Sequence, residues 1–269
     1  MGTSQSSSGP GPGVLLVPPW ADEIVPPPSL DGETPPEEQP AKKPDLLSPT
    51  GRFRDARRSL GGFARSGDSR DLRRGLGHYV RTGYGGSGTM SRRLSGTAVT
   101  AGRLNGVMQS GRGPDGKSLT DIALASGSDV NVVLDAIVDA ATPIDGTQDR
   151  ESSRRAVRDA LTDLLGRFPE ADLLALTETQ REYVIERYAA LDVYGRFCLD
   201  LQKTIMAKAH DPATGLRRLK QVREFISEHV SAAFRMIRKG GTPATTANVA
   251  RLTSLALRET LTVFEEYTS

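Results

Sequence analysis

Apolar side chains recur at steps of three and four residues through the second half of the chain, and this spacing predicts amphipathic α-helices. The longest run covers residues 177–210. A capping box at its start, formed by Thr177 with Gln180 or by Thr179 with Glu182, predicts where that helix begins. Its apolar face is predicted to comprise Val184, Tyr188, Leu191, Tyr194, Cys198, Leu201 and Ile205.

Four more stretches show the same helical spacing. They cover residues 128–141 and 149–168, a long helix after Asp211-Pro212 that should end at Gly240-Gly241, and a last helix near the C-terminus. No alternating pattern is long enough to predict a strand, so the predicted fold class is all-α, a helical bundle with long helices. The last helix is predicted to bury Val249, Leu252, Leu255 and Leu261.

Residues 1–50 break this pattern and hold twelve of the seventeen prolines, together with many Gly, Ser and Glu residues. Such a composition cannot bury enough apolar surface to offset its chain entropy, so a disordered Pro/Gly-rich N-terminal tail should precede the bundle. The tail carries one apolar segment, which is either a few stray apolar residues in a solvated tail or a short motif that docks in a partner's groove with tryptophan as its anchor. The segment consists of Val14, Leu15, Leu16, Val17, Pro18, Pro19 and Trp20.

Charge divides the chain further. Seven acidic residues and two lysines give residues 1–50 a net charge of −5, whereas twelve arginines and three aspartates give residues 51–103 a net charge of +9. We therefore predict three segments: the tail, a basic Arg/Gly-rich segment with short helices over 51–115, and an all-helical domain over 116–269. A basic contact surface is predicted at Arg52, Arg54, Arg57, Arg58, Arg73, Arg74, Arg81, Arg92 and Arg93.

Aromatic residues alternate with these arginines, and two hypotheses follow. Arginine and aromatic side chains together suit phosphate contact and base stacking, which would make the segment a nucleic-acid-binding adaptor. Alternatively, the aromatic rings pack onto the bundle and the arginines face solvent or a protein partner. The residues concerned are Phe53, Phe63, His78, Tyr79 and Tyr84.

The residues that usually carry catalysis are sparse. Cys198 is the one cysteine, which excludes an internal disulfide and a cysteine-rich zinc site. The three histidines lack metal-ligand spacing, so we predict no metal, no cofactor and no enzymatic activity. No apolar run approaches the ~20 residues of a membrane span, and no secretory signal is visible, so a cytoplasmic protein without membrane contact is expected.

One motif matches a nucleotide-binding pattern. The sequence "GRGPDGKS" over residues 111–118 fits GxxxxGK[ST], in which Lys117 would reach the terminal phosphate and Ser118 would ligate magnesium. That motif should follow a buried strand, but a helical, small-residue stretch precedes it here. A chance match in a linker is the favoured interpretation, and an ATPase site is the alternative.

The start of the chain offers a reactive group. Glycine at position 2 normally allows removal of Met1, which leaves Gly2 with a free α-amine whose reference pKa is about 8. Glycine has no Cβ to obstruct a narrow active site. The same residues fit the N-myristoylation pattern, and a plain processed end is the third interpretation.

Three stretches, residues 1–20, 51–86 ("GRFRDARRSLGGFARSGDSRDLRRGLGHYVRTGYGG") and 91–108 ("SRRLSGTAVTAGRLNGVM"), together resemble the QatB family, a component of the bacterial Qat anti-phage defence system. The resemblance implies partners: a QueC-like enzyme (QatC), and also the P-loop ATPase (QatA) and TatD-like nuclease (QatD) of the same system. It further implies that Gly2 is the acceptor for a 7-deazaguanine. An α-amine can replace ammonia as the nucleophile on an adenylated carboxylate, and the resulting substituted amide cannot lose water to a nitrile.

Overall fold

The structure, a computed structural model, describes residues 15–17, 50–113, 116–125, 129–143, 147–239 and 246–268. Every regular element among these residues is a helix, which confirms the predicted all-α fold. Apart from residues 15–17 and Thr50, the predicted disordered tail lies outside the described residues. The α-helices are α1 Arg54–Ser66, α2 Ser69–His78, α3 Ser87–Arg93, α4 Ser95–Ser110, α5 Leu119–Ala125, α6 Val130–Ala141, α7 Gln148–Arg167, α8 Glu178–Lys208, α9 Pro212–Lys239 and α10 Thr246–Glu266, and one turn of π-helix spans Tyr79–Gly83.

Helix α8 lies at the centre of the bundle and packs against α1, α4, α7 and α9. Its predicted capping box is present, because the Gln180 amide donates to the Thr177 hydroxyl and the Thr177 amide donates to the Gln180 side chain at 2.9 Å. The predicted apolar face is buried except at Tyr194 and Cys198, which are half-buried.

The break between α8 and α9 follows the predicted signal. Pro212 is the first residue of α9, where its missing N–H costs nothing. The Asp211 carboxylate accepts a hydrogen bond from the Thr214 amide at 2.8 Å and another from the Thr214 hydroxyl at 2.6 Å.

In α10 the predicted apolar face is wrong at one position: Leu255 is 42% exposed, and Ala256 and Leu257 are buried instead.

Helices α1 and α2 form a closely packed pair at the start of the body. Gly67 ends α1 in the left-handed conformation, and Asp68 then caps α2 by accepting the Arg70 amide at 2.8 Å. A Cβ on Gly75 would come within 2.7 Å of the Leu60 side chain, so the close approach of the two helices requires glycine there. The spacing of Leu72, Leu76, Tyr79 and Val80 predicts one shared apolar face, and all four are buried, the first two on α2 and the last two on the π-helical turn that follows it.

Two features of this region differ from the prediction. The chain continues from α2 into the π-helical turn, whose wider winding was not predicted. The sequence of residues 88–109 predicts a single helix, but the structure divides it at Leu94 into α3 and α4. Helices from residues 51–115 and from residues 116–269 contribute to one hydrophobic core.

Candidate functional site

The structure describes three residues of the apolar tail segment. Leu16 is only 4% exposed, and Leu15 and Val17 are half-buried, so this part of the tail packs against the chain itself. The Leu16 side chain is therefore covered within this chain rather than presented to a partner. Gly2, Val14, Pro18, Pro19 and Trp20 lie outside the described residues.

Most of the predicted basic surface is accessible, with one correction. Arg52 is buried, with 6% of its side chain exposed, so it does not belong to a contact surface. Its guanidinium lies over the Phe53 ring, 4.2 Å from the centroid, and 3.8 Å from the Asp200 carboxylate. The other predicted arginines are exposed at Arg54, Arg58, Arg73, Arg74 and Arg81 and half-buried at Arg57, Arg92 and Arg93.

A buried polar cluster joins the start of α1 to α8. The Asp200 carboxylate accepts hydrogen bonds from the Tyr79 hydroxyl at 2.9 Å and the Tyr84 hydroxyl at 2.7 Å, beside the Arg52 guanidinium. Burial raises the pKa of both tyrosines, and the Asp200 charge raises it further, so both hydroxyls stay protonated donors. The π-helical turn brings the two tyrosines to one carboxylate.

The aromatic rings among the arginines are core residues. Phe53, Phe63, Tyr79 and Tyr84 are each at most 2% exposed, so none can stack on a nucleobase. This confirms the hypothesis that the rings pack on the bundle. What remains available to a nucleic acid or an acidic protein is the set of exposed guanidinium groups.

Sequence reasoning missed a polar cleft of about 370 Å³ lined by residues of α3, α4, α7 and α8. At its floor Asp192 is 9% exposed and accepts the Thr97 hydroxyl at 2.6 Å. At its mouth Asp149 accepts hydrogen bonds from both Arg93, at 3.4 Å, and Arg196. No sequence signal could have paired these residues, because Thr97 and Asp192 are 95 positions apart along the chain. The remaining lining residues are Gly96, Thr147, Arg150 and Ser153.

The pKa of Asp192 is raised, and burial is the largest cause. The nearby Asp149 charge also raises it. Hydrogen bonds from Thr97 and Ser153 and the Arg196 charge act in the opposite direction and offset only part of the shift. In the unfolded chain an aspartate has a pKa of about 3.9. If its pKa is higher in the folded chain, its ionisation destabilises the folded state more and more as the pH rises from the unfolded-state pKa to the folded-state pKa. Asp192→Asn keeps an acceptor for Thr97 and removes the charge. We therefore expect this variant to gain thermal stability relative to the parent chain as pH is raised from 4 to 7.5. Thermal unfolding followed by circular dichroism measures the difference, and a gap that stays constant or narrows with pH contradicts the assignment.

Cys198 lies in a second groove, between α7 and α8. Burial raises the pKa of its thiol to about 11, partly offset by a hydrogen bond with Tyr194. Only the thiolate is nucleophilic, so at pH 8 we expect iodoacetamide to alkylate the folded chain about a hundredfold more slowly than the chain in denaturant. Mass spectrometry of timed samples measures this, and equal rates in the two states would contradict it.

The loop that matches the nucleotide-binding pattern is a turn between two helices. It follows α4, and a β-bridge between Arg112 and Ser118 closes it. The amides of Gly113 and Gly116 donate to the carbonyls of Lys117 and Gly113, both at 3.0 Å. In a phosphate loop such amides face the ligand, so the geometry favours the linker interpretation.

His229 is held within the body. One ring nitrogen lies 2.8 Å from the Phe225 carbonyl oxygen and the other 2.8 Å from the Tyr267 hydroxyl. The imidazole ring also contacts the rings of Phe225 and Phe264.

Among the described residues, no three His, Cys, Asp or Glu side chains could share a metal ion. Within the same residues, no helix is long and apolar enough to cross a membrane.

These features define an all-α protein with an arginine-rich helical pair, α1 and α2, and a tail segment in which Leu16 is buried. A family model described as the Qat anti-phage system associated protein QatB matches residues 85–264, which is more than half of the chain. The chain belongs to the QatB family and is a component of an anti-phage defence system. Searches of curated proteins and of solved structures each gave no significant match.

Proposed function

We propose that this chain is a non-enzymatic, cytoplasmic subunit of its defence system and that it presents Gly2, after removal of Met1, for conjugation to a 7-deazaguanine. The catalyst would be a QueC-like partner of the same system, QatC. Membership of the QatB family supports the defence role. The observation that carries the proposal is the burial of Leu16, which gives the tail one covered point fourteen residues after Gly2.

The anchor determines what the α-amine can reach. For a Gly/Ser-rich sequence of fourteen residues the typical end-to-end distance is about 20 Å, and full extension gives about 50 Å. Under the proposal, the active site that accepts Gly2 lies within about 50 Å of Leu16. Trp20 follows the anchor by four residues and is the natural contact for the partner, because a large aromatic side chain buries much area at low entropic cost.

The proposed conjugation reaction balances, and the only group of this chain that takes part in it is the Gly2 α-amine. The partner converts the deazaguanine carboxylate and ATP into an acyl-adenylate and pyrophosphate. The Gly2 nitrogen attacks the acyl carbon, the C–O bond to AMP breaks, and the amine loses a proton. At pH 7 roughly a tenth of an α-amine with a pKa of about 8 is uncharged and able to attack.

An assay of adduct stoichiometry tests whether the chain is the acceptor or the catalyst. Purified chain is mixed with ATP, the carboxy-deazaguanine and a trace amount of QatC, so that each QatC must act many times. Adduct formation should stop at one per chain, and Trp20→Ala should slow it while leaving that end point unchanged. Adduct on any internal residue, or turnover beyond one per chain, would overturn the proposal.

A nucleic-acid-binding adaptor is the second candidate. The exposed arginines of α1 and α2 favour it, since guanidinium groups contact phosphates without needing the buried rings. Binding of a fluorescent oligonucleotide should then weaken steeply with salt, and Arg73→Ala with Arg74→Ala should reduce the salt dependence.

The P-loop ATPase and the TatD-like nuclease, QatA and QatD, are further partners that this surface could contact.

A further inference from the structure

Exposed arginines form two rows on the outer faces of α1 and α2. Arg54, Arg58 and Arg65 follow one another at steps of four and seven residues, which places them on one face of α1. The same two steps recur along α2 and the π-helical turn that continues it, where the row consists of Arg70, Arg74 and Arg81. All six residues are exposed, and the two helices pack directly against each other, so the arginine rows form one basic surface.

The arginine rows lack most of their counter-charges among the described residues. The single carboxylate within ion-pair distance of a row arginine is that of Asp55, 3.9 Å from Arg54 in an exposed pair. Asp68 and Asp71 are the other two carboxylates of this stretch, and neither forms an ion pair with a row arginine. Six guanidinium groups therefore stand against three carboxylates.

The neighbouring helices add further positive charge beside α1. The Lys208 side chain at the end of α8 lies next to Gly61, and the Arg218 guanidinium of α9 lies next to Gly67. Neither cation has an ion-pair partner among the described residues. Like charges four residues apart on a helix destabilise it, and each row contains such a pair, so an anionic partner would stabilise this surface.

We propose that the acidic segment of this chain's own tail, residues 22–45, binds across the arginine rows. The segment contains all seven carboxylates of residues 1–50 together with two lysines, so its net charge of −5 is opposite to that of the rows. Residues 22–45 lie outside the described residues. The carboxylates are those of Asp22, Glu23, Asp31, Glu33, Glu37, Glu38 and Asp45.

The length of chain between the two partners allows the contact. Phe53 is fully buried at the start of the first row, and Asp45 precedes it by eight residues, a reach of at most about 28 Å. The row on α1 spans eleven residues of helix, or about 17 Å. A proline-rich chain rises about 3.1 Å per residue, so the segment is long enough to follow the row.

Covalent attachment favours this segment over a separate nucleic acid. A partner on a short tether has a local concentration of about millimolar, and the buried rings of this region cannot add base stacking for a nucleic acid. The proposal does not depend on conjugation at Gly2. It limits the second candidate function, because a nucleic acid would have to displace the segment.

Carbodiimide cross-linking of the full chain tests the proposal. Arg58→Lys and Arg74→Lys, made separately, keep the charge of a row and supply an amine, which the reagent joins as an amide to a carboxylate in direct contact while the carbodiimide becomes a urea. Mass spectrometry should find links from position 58 and from position 74 to carboxylates of residues 22–45, and about 1 M sodium chloride should abolish them by screening. Arg167→Lys, at an exposed site on α7, should give no such link.

Two results would overturn the proposal. One is the absence of these links in either row variant, and the other is links that persist unchanged at high salt. If the links are absent and a fluorescent oligonucleotide binds the parent chain, nucleic acid is the partner of the rows.

A second set of variants separates binding from chance collision of a tethered chain. In the Arg58→Lys background, Arg65→Gln, Arg70→Gln and Arg74→Gln together should slow linking at position 58 about fivefold or more, because three exposed ion pairs together contribute at least that factor. The matched control neutralises three exposed arginines elsewhere, by Arg103→Gln, Arg167→Gln and Arg258→Gln. It should leave the rate unchanged, and equal rates in the two sets would show that the rows do not hold the segment.

Discussion

A chain carrying Gly2→Glu is expected to emerge from co-expression with QatC without any deazaguanine adduct and to give no protection against phage. Glutamate at position 2 blocks removal of Met1, so the nitrogen of residue 2 stays in a peptide bond and the chain ends in Met1, whose side chain stands where the proposal requires a bare α-carbon. The expected loss is complete, because the proposal assigns the acceptor role to the Gly2 α-amine alone and to none of the lysine side chains. Intact mass and a plaque assay measure the two effects.

Two further variants control this result. Gly9→Glu makes the same substitution in the same tail and should leave conjugation intact. Gly2→Ala allows Met1 removal and adds only a methyl group, so it separates a need for the free amine from a need for glycine. Full conjugation of Gly2→Glu, or loss in Gly9→Glu, would contradict the assignment of Gly2 as acceptor.

The second large effect is structural. Asp200→Ala should lower the free energy of unfolding by about 3–5 kcal/mol, because it leaves the Arg52 guanidinium buried without its anion and removes the acceptor of two tyrosine hydroxyls. Both charged side chains are under 10% exposed, so solvent cannot replace the lost partner. Urea unfolding measures the difference.

Asp163→Ala provides the comparison for this experiment. Asp163 also contacts two arginines, but its side chain is 31% exposed. Exposed ion pairs contribute about 0–1 kcal/mol, so this variant should lose at most about 1 kcal/mol. Equal losses in Asp200→Ala and Asp163→Ala would show that the buried cluster does not hold α1 against α8.

The helices follow from local patterns, and so they could be predicted. The capping box at Thr177 and the proline at 212 are signals within a few residues of the helix ends they define. The buried face of α2 follows from the spacing of Leu72 and Leu76. Leu255 departs from its pattern because α10 turns Ala256 and Leu257 to the core instead.

The polar clusters depend on pairs distant in sequence, and no local pattern encodes them. In the sequence nothing distinguishes Arg52 from the surface arginines around it. Its burial depends on Asp200, which α8 places beside it in the fold. Asp192 reads as an ordinary polar residue on a long helix until α4 and α7 close over it and form the cleft. The π-helical turn was missed for a related reason, since its winding brings Tyr79 and Tyr84 to a carboxylate more than a hundred residues away.

The central claim is that Gly2 of this chain is the acceptor of a deazaguanine. The most direct measurement is the mass of the N-terminal peptide from cells that carry the whole Qat gene cluster, with fragmentation to place any adduct. The proposal predicts a peptide that lacks Met1 and carries an amide-linked deazaguanine on the Gly2 nitrogen. An unmodified Gly2 in cells where QatC is active would contradict it.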